Sequence, residues 1–188
     1  AGPFPETLAA IHRTDVIKMV APRGRGPQMN RGAAVAAGEI LLFLHADTRL
    51  PPDGLASVAA AFRQPSIVGG AFRLAIASPH LLFRLIETTA NLRTRLTRIP
   101  YGDQALFFNR RFFEGIGGFS EIPIMEDVEL MRRVKRGGHR IRILPGRVST
   151  SARRWRREGI VRCTLRNWML VTRFLLGDPP DRLVRHYR

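Results

Sequence analysis

The chain has 188 residues, enough for one α/β domain with a real core, and 45% of them are hydrophobic, which excludes disorder as the main state. It is strongly basic: 31 Lys and Arg stand against 15 Asp and Glu, giving a formal net charge of +16. The lone Cys163 excludes an intramolecular disulfide framework and any cysteine-rich metal cluster, and no signal peptide is visible in Ala1-Gly2-Pro3-Phe4-Pro5. Lys18 and Lys135 are the only lysines, so the excess charge is arginine. Arginine binds phosphate bidentately and packs at membrane interfaces, so nucleic acid, an anionic membrane and a diphosphate substrate all fit it.

In chain order, Glu6 to His12 reads as a short helix, Asp15 to Val20 as a strand, and Pro22 to Pro27 as a loop. Alanines favour helix from Gln28 to Ala37, and Gly38 ends it. The next segment, Leu41-Leu42-Phe43-Leu44-His45-Ala46-Asp47-Thr48, is the most informative. Four apolar residues predict a buried strand of a largely parallel α/β sheet, and a carboxylate follows at its carboxyl end, before the turn Pro51-Pro52-Asp53-Gly54. Ligands bind at that edge of such sheets, and hard divalent cations want carboxylate oxygen; capping the next turn is the other role open to Asp47.

A helix over Gly54–Phe62 and a strand over Ile67–Ile76 continue the alternation, which predicts an open sheet with right-handed crossovers. Residues 80–99 mix leucines with Arg84, Arg93, Arg95 and Arg98 and predict an amphipathic helix. A polar turn, Tyr101-Gly102-Asp103-Gln104, then feeds an apolar strand ending at Asn109, and Arg110 to Glu114 turns helical. Gly115-Ile116-Gly117-Gly118-Phe119 marks a close backbone approach. Met125-Glu126-Asp127 opens a helix to about Arg136, where acids complement the helix dipole, and His139 to Leu144 makes a final strand. Beyond a cluster of arginines from Arg147 to Arg166, Gly159 to Leu176 is apolar but interrupted by Arg162, Arg166 and Arg173. Those charges argue against a spanning helix and leave two readings, an interfacial helix and an ordinary amphipathic one.

Gln28-Met29-Asn30-Arg31-Gly32-Ala33, Leu42-Phe43-Leu44-His45-Ala46-Asp47-Thr48, Gly117-Gly118-Phe119 and Glu126-Asp127 together resemble glycosyltransferase family 2, inverting enzymes of GT-A fold. The variants FLHADT, YGDQALF and IMEDVEL are most similar to the bacterial subfamily labelled arsenosugar-biosynthesis glycosyltransferases. The resemblance covers roughly residues 15 to 176 and rests on the order and spacing of motifs that are each weak alone. It implies a GT-A type α/β fold, a Rossmann-like open mixed sheet, with a catalytic domain over 1–150 and a basic, amphipathic extension over 151–188.

The resemblance also implies roles. Asp47 matches the last acid of the family's metal motif, which holds Mn²⁺ or Mg²⁺ against the diphosphate of a nucleotide-sugar donor. His45 stands where the first acid is expected, and a histidine ligates Mn²⁺ better than Mg²⁺. Asp127 matches the general base acting on the acceptor hydroxyl, with Glu126 orienting either that base or the acceptor. Arg25, Gln28 and Asn30 fall where the family lines its nucleotide pocket, although Asn30 suits a helix cap equally well. Ser151-Ala152-Arg153-Arg154-Trp155 resembles the QxxRW motif, with Ser for Gln; by that match Arg154 faces diphosphate and Trp155 the acceptor, while a solvated basic run with a packing Trp fits the same residues.

The family's first two strands, with their proline/Asn-Glu and Asp-Gly-Ser ends, are missing from the sequence, so the chain reads as N-terminally truncated by roughly 50 residues. The acceptor implied is a small molecule or a lipid, and the expected location is cytoplasmic, with peripheral attachment to the inner membrane. A basic membrane-surface or nucleic-acid module without activity is the alternative. No recognised nucleic-acid motif supports the latter.

Overall fold

The computed structural model describes residues 8–187. Its elements are α1 (Arg25–Val35), β1 (Ile40–Leu42), β2 (Thr48–Arg49), α2 (Gly54–Ala61), β3 (Ile67–Ala77), α3 (Leu81–Thr97), a 3₁₀ turn (Gly102–Gln104), β4 (Phe107–Asn109), α4 (Arg110–Gly115), α5 (Glu126–Arg136), β5 (Arg140–Ser151), α6 (Arg153–Glu158), α7 (Ile160–Leu175), α8 (Pro180–Leu183) and a closing 3₁₀ turn (Val184–His186). The expected helix at Glu6–His12 lies partly outside the described residues; Leu8 and Ala9 are helical and the chain has left the helix by Ile11.

The strands form one open sheet in the order β1-β4-β3-β5-β2. It is mixed, as the resemblance implies, and the expectation of a largely parallel sheet is corrected. Only β3 and β5 run parallel, whereas β4 returns between β1 and β3 antiparallel to both, and β2 pairs antiparallel with the end of β5. The long path through α3, β4, α4 and α5 gives β3 and β5 the crossover that a parallel pair requires. The strand expected at Asp15–Val20 does not form. Ile17 and Val20 are exposed, and among the described residues no strand pairs with this segment. An extended segment without a ladder partner leaves its backbone groups to water.

Other boundaries shift for local reasons. α1 begins at Arg25 rather than Gln28, because Pro27 sits in its first turn, where a missing N–H costs nothing. β1 stops at Leu42, since its partner β4 is only three residues long. β5 runs on past Leu144 to Ser151: Pro145 and Gly146 fall at an irregularity between the Ala71–Ile143 and Arg73–Arg147 pairs, which absorbs them without ending the strand.

Helices cover both faces of the sheet. Adjacent residues of β4 point to opposite sides, so Phe108 joins Leu41, Phe113, Phe119 and Met131 on one face, while Phe107 joins Val58, Phe72, Leu144 and Val148 on the other. β3 admits these rings through Gly69-Gly70; a Cβ on Gly70 would lie 2.1 Å from the Arg142 carbonyl oxygen and 2.5 Å from Phe107. Past that point β3 has outrun β4, and α3 supplies what a strand would. Asn91 accepts from the Leu74 N–H at 2.8 Å and donates to its carbonyl at 2.9 Å, and Glu87 accepts from the Ile76 N–H at 2.6 Å. The C-terminal helices pack Leu170, Phe174 and Leu183 against Ile124, Met125 and Val128, at the mouth of α5.

Candidate functional site

Segments far apart in sequence meet at the N-terminus of α5. Met125, the residue before it, takes a left-handed backbone conformation with φ 67°, uncommon for a side chain of this kind, and the turn so formed delivers Glu126 and Asp127 inward. Glu126 is buried, with 1% of its surface exposed. It is met by Arg25 from the start of α1, at 2.7 Å between Nε and Oε1 and 3.3 Å between Nη2 and Oε2, a bidentate pair. Burial, and then the neighbouring Asp127, push the Glu126 carboxyl up from its ordinary range, and Arg25 opposes them.

Asp127 is buried and held through both oxygens. Oδ2 accepts the Gly102 N–H at 2.6 Å and Oδ1 accepts the Val128 N–H at 2.8 Å. Gly102 is the pivot of the site: a Cβ there would stand 3.1 Å from Asp127 Oδ2 and 3.1 Å from His45 Nε2, so carboxylate and imidazole flank one point. Burial, reinforced by Arg25, pushes the His45 imidazole down from its ordinary value against the pull of Asp127 and Asp47, which leaves it neutral at pH 7. Asp103, next to Gly102, is pushed up to about 6 by burial and by Asp127, with Arg93 and Arg25 opposing. Arg93 reaches in from α3 with its guanidinium 3.3 Å from the Tyr101 ring centroid. Below the turn, buried Gln104 donates to the Phe72 carbonyl at 3.0 Å and accepts from the Thr94 hydroxyl at 2.8 Å, which fixes the turn on the core.

The residues singled out from the sequence thus fall into two groups. Arg25, His45, Asp47, Glu126 and Asp127 share one electrostatic neighbourhood, with Asp47 exposed in the turn after β1 that the Thr48 N–H closes on the His45 carbonyl at 3.0 Å. The others are engaged elsewhere. Asn30 clamps the Gly117-Gly118-Phe119 loop, donating to the Phe119 carbonyl at 2.8 Å and accepting its N–H at 2.9 Å. Gln28 is exposed on α1. Arg154 pairs with Glu158 at 3.3 Å and lies 4.1 Å over the Tyr187 ring, and Trp155 packs edge-on against Phe83 and donates to Thr164 at 3.2 Å. Sequence reasoning gave no role to Gly102, Asp103, Tyr101 or Arg93. The polar turn Tyr101–Gln104 between an amphipathic helix and an apolar strand was the available signal for the first three; Arg93 looked like any other arginine of its helix.

Among the described residues, no three His, Cys, Asp or Glu side chains stand close enough to form a metal cage. One exposed carboxylate, Asp47, and one neutral imidazole, His45, suit a cation that arrives with phosphate oxygens as its remaining ligands rather than a resident ion. The arrangement offers a fixed carboxylate with free lone pairs, a neutral imidazole, a second carboxyl that titrates near pH 6, and two arginines: the parts of a proton-transfer site beside an anion. The family model described as Glycosyl transferase family 2 matches residues 5–119, a span that takes in Arg25, His45, Asp47 and the Tyr101–Gln104 turn and stops short of Glu126-Asp127. A search of curated proteins finds no match.

Proposed function

The chain belongs to glycosyl transferase family 2 and is a glycosyltransferase, and from that premise we propose that it moves a sugar, with inversion, from a nucleotide-diphosphate donor to an acceptor hydroxyl, using Asp127 as the base. The observation that carries this reading is the convergence of Asp127, Gly102 and His45 on one point, with the bidentate Arg25–Glu126 pair behind it. The acceptor oxygen attacks the anomeric carbon as the bond from that carbon to the diphosphate oxygen breaks. Its proton passes to an Asp127 oxygen, and the nucleoside diphosphate leaves. An alcohol needs such a base because it is a poor nucleophile until its proton is taken. Asp127 suits the task because two backbone N–H groups hold it still while each oxygen keeps a lone pair for the incoming hydroxyl.

Glu126 keeps Arg25 in place, and Arg25 together with Arg93 sets a positive field where charge develops on the leaving group. Asp47, with His45 beside it, would hold Mn²⁺ or Mg²⁺ together with the donor diphosphate; when bound, that ion supplies countercharge to the departing phosphates. The HADT and YGDQ segments favour the arsenosugar-type subfamily, and the acceptor is a small molecule or a lipid met on the cytoplasmic side. The test is to incubate the protein with a panel of nucleotide sugars, Mn²⁺ or Mg²⁺ and hydroxyl acceptors, following nucleoside diphosphate release and the anomeric configuration of the product by NMR. Transfer with inversion is expected. Transfer with retention would rule out the single displacement that Asp127 is built for.

A further inference from the structure

Away from this site, α3 and the β3/β5 pair enclose an open groove of about 540 Å³ whose lining includes Arg73, Arg95, Arg98 and Arg147, with Leu92 and Pro145. Among the described residues Glu87 is the one acid of its lining, and it is already shared between Arg84 at 2.8 Å and Arg147 at 3.5 Å. Arg73 and Arg147 are direct partners across the parallel β3/β5 ladder. Like charges placed opposite each other destabilise a sheet, and of this pair Arg147 is already met by Glu87. Among the described residues, none of these groove arginines shares a hydrogen bond or ion pair with the Arg25, Glu126 and Asp127 cluster.

The groove does not stand alone. Beside it, α3 exposes Leu81, Leu85, Leu92 and Leu96, 81%, 61%, 53% and 72% open to solvent. At 100° per residue these four fall within an arc of about 60°, and Arg84 and Arg95 border that arc on one side. A soluble surface rarely carries a continuous apolar stripe without a partner for it. α7 is built alike: it buries Cys163, Leu170 and Phe174 and exposes Val161, Leu165, Trp168 and Leu175, flanked by Arg162, Arg166 and Arg173. The two helices start from one cluster, where Phe83 of α3 and Ile160 of α7 pack with Trp155. No helix among the described residues is long and apolar enough to cross a membrane.

We propose that this face docks on an anionic bilayer, with the leucine stripe of α3 at the acyl boundary and the phosphate of an acidic phospholipid seated in the arginine groove. Charge complementarity selects this occupant: a leucine stripe alone would suit an apolar protein partner, but leucines beside a groove lined by four arginines and one already neutralised acid match a surface that is apolar below and anionic above.

The experiment is co-sedimentation of the full chain with vesicles of phosphatidylcholine alone and with phosphatidylglycerol added, at low and high salt. Binding to the anionic vesicles is expected, and weakening with salt. Arg73→Gln/Arg95→Gln spares Arg147 and Arg98, which hold Glu87 and the Ile141 carbonyl, and should weaken binding roughly thirty-fold, the effect of two charges at the surface. Arg111→Gln/Arg136→Gln removes the same charge from α4 and α5 and should change it only a few-fold. Leu85→Ser/Leu92→Ser/Leu96→Ser should lower binding by about ten-fold or more even at low salt. Equal losses in the two arginine pairs would reduce the effect to bulk charge and overturn the site. So would saturable binding of inorganic phosphate, lost in Arg73→Gln/Arg95→Gln, without any vesicle association. Circular dichroism melts of each variant separate loss of binding from loss of fold.

Discussion

Asp127→Asn is the sharpest perturbation of the site, because the wild-type side chain accepts a backbone N–H on each oxygen, Gly102 on Oδ2 and Val128 on Oδ1. Asparagine has one oxygen and one NH₂, so either rotamer keeps one of these bonds and turns a donor toward the other N–H. A buried donor left unpaired costs about 1–3 kcal/mol, and removal of a negative charge from the first turn of α5 adds about 0.3–1 kcal/mol. For a chain of this length each kcal/mol lowers Tm by about 2–4 °C, so a fall of roughly 3–15 °C is expected by calorimetry. At a temperature where the variant is fully folded, transfer should still be slower by about 10²–10⁴-fold, the usual effect of losing a general base, with donor affinity little changed. Stopped-assay turnover and nucleotide titration on the same preparation separate the two effects. A variant that melts as expected yet transfers sugar within a few-fold of wild type would show that Asp127 fixes the Gly102 turn and is not the base.

Gly102→Ala keeps every hydrogen-bonding group but places a methyl 3.1 Å from both Asp127 Oδ2 and His45 Nε2; shifts of a few tenths of an ångström should lower kcat about ten-fold while Tm moves by only a few degrees, and unchanged kcat would place the chemistry elsewhere. Asp103, with its carboxyl up at about 6 against 3.8 unperturbed, binds its proton more tightly folded than unfolded. The stability it contributes is therefore complete below about pH 4 and lost as pH rises through 6, on the order of 2–3 kcal/mol; Asp103→Asn should flatten denaturation midpoints across that window, and an unaltered pH profile would refute the assignment. Asp47→Asn leaves the backbone bond from the Ser151 N–H to the Asp47 carbonyl intact and should change stability by less than about 0.5 kcal/mol, while abolishing the Mn²⁺-dependent part of nucleotide binding in calorimetry; unchanged metal-dependent binding would remove Asp47 from the donor site.

Periodicity carried the helices, because an amphipathic stripe or an alanine-rich run is a local property: α3, α5 and α7 lie close to where their leucines, acids and arginines put them. The order of the motifs carried the family, and it singled out Arg25, His45, Asp47, Glu126 and Asp127, which fall in one electrostatic neighbourhood although Asp47 stands in the turn after β1 and Asp127 in the first turn of α5. Strand direction was not legible. Nothing in Leu106-Phe107-Phe108 says that β4 slips between β1 and β3 in reverse, a choice made by the Gly69-Gly70 gap that receives the two rings. The run at Asp15–Val20 had strand composition but no partner among the described residues, and a strand exists only as half of a pair. The roles of Gly102 and Arg93 were not legible for the same reason. Their roles come from what stands opposite them, a carboxylate and an imidazole in one case and a tyrosine ring in the other, and such distances between remote segments exist only once the chain has closed.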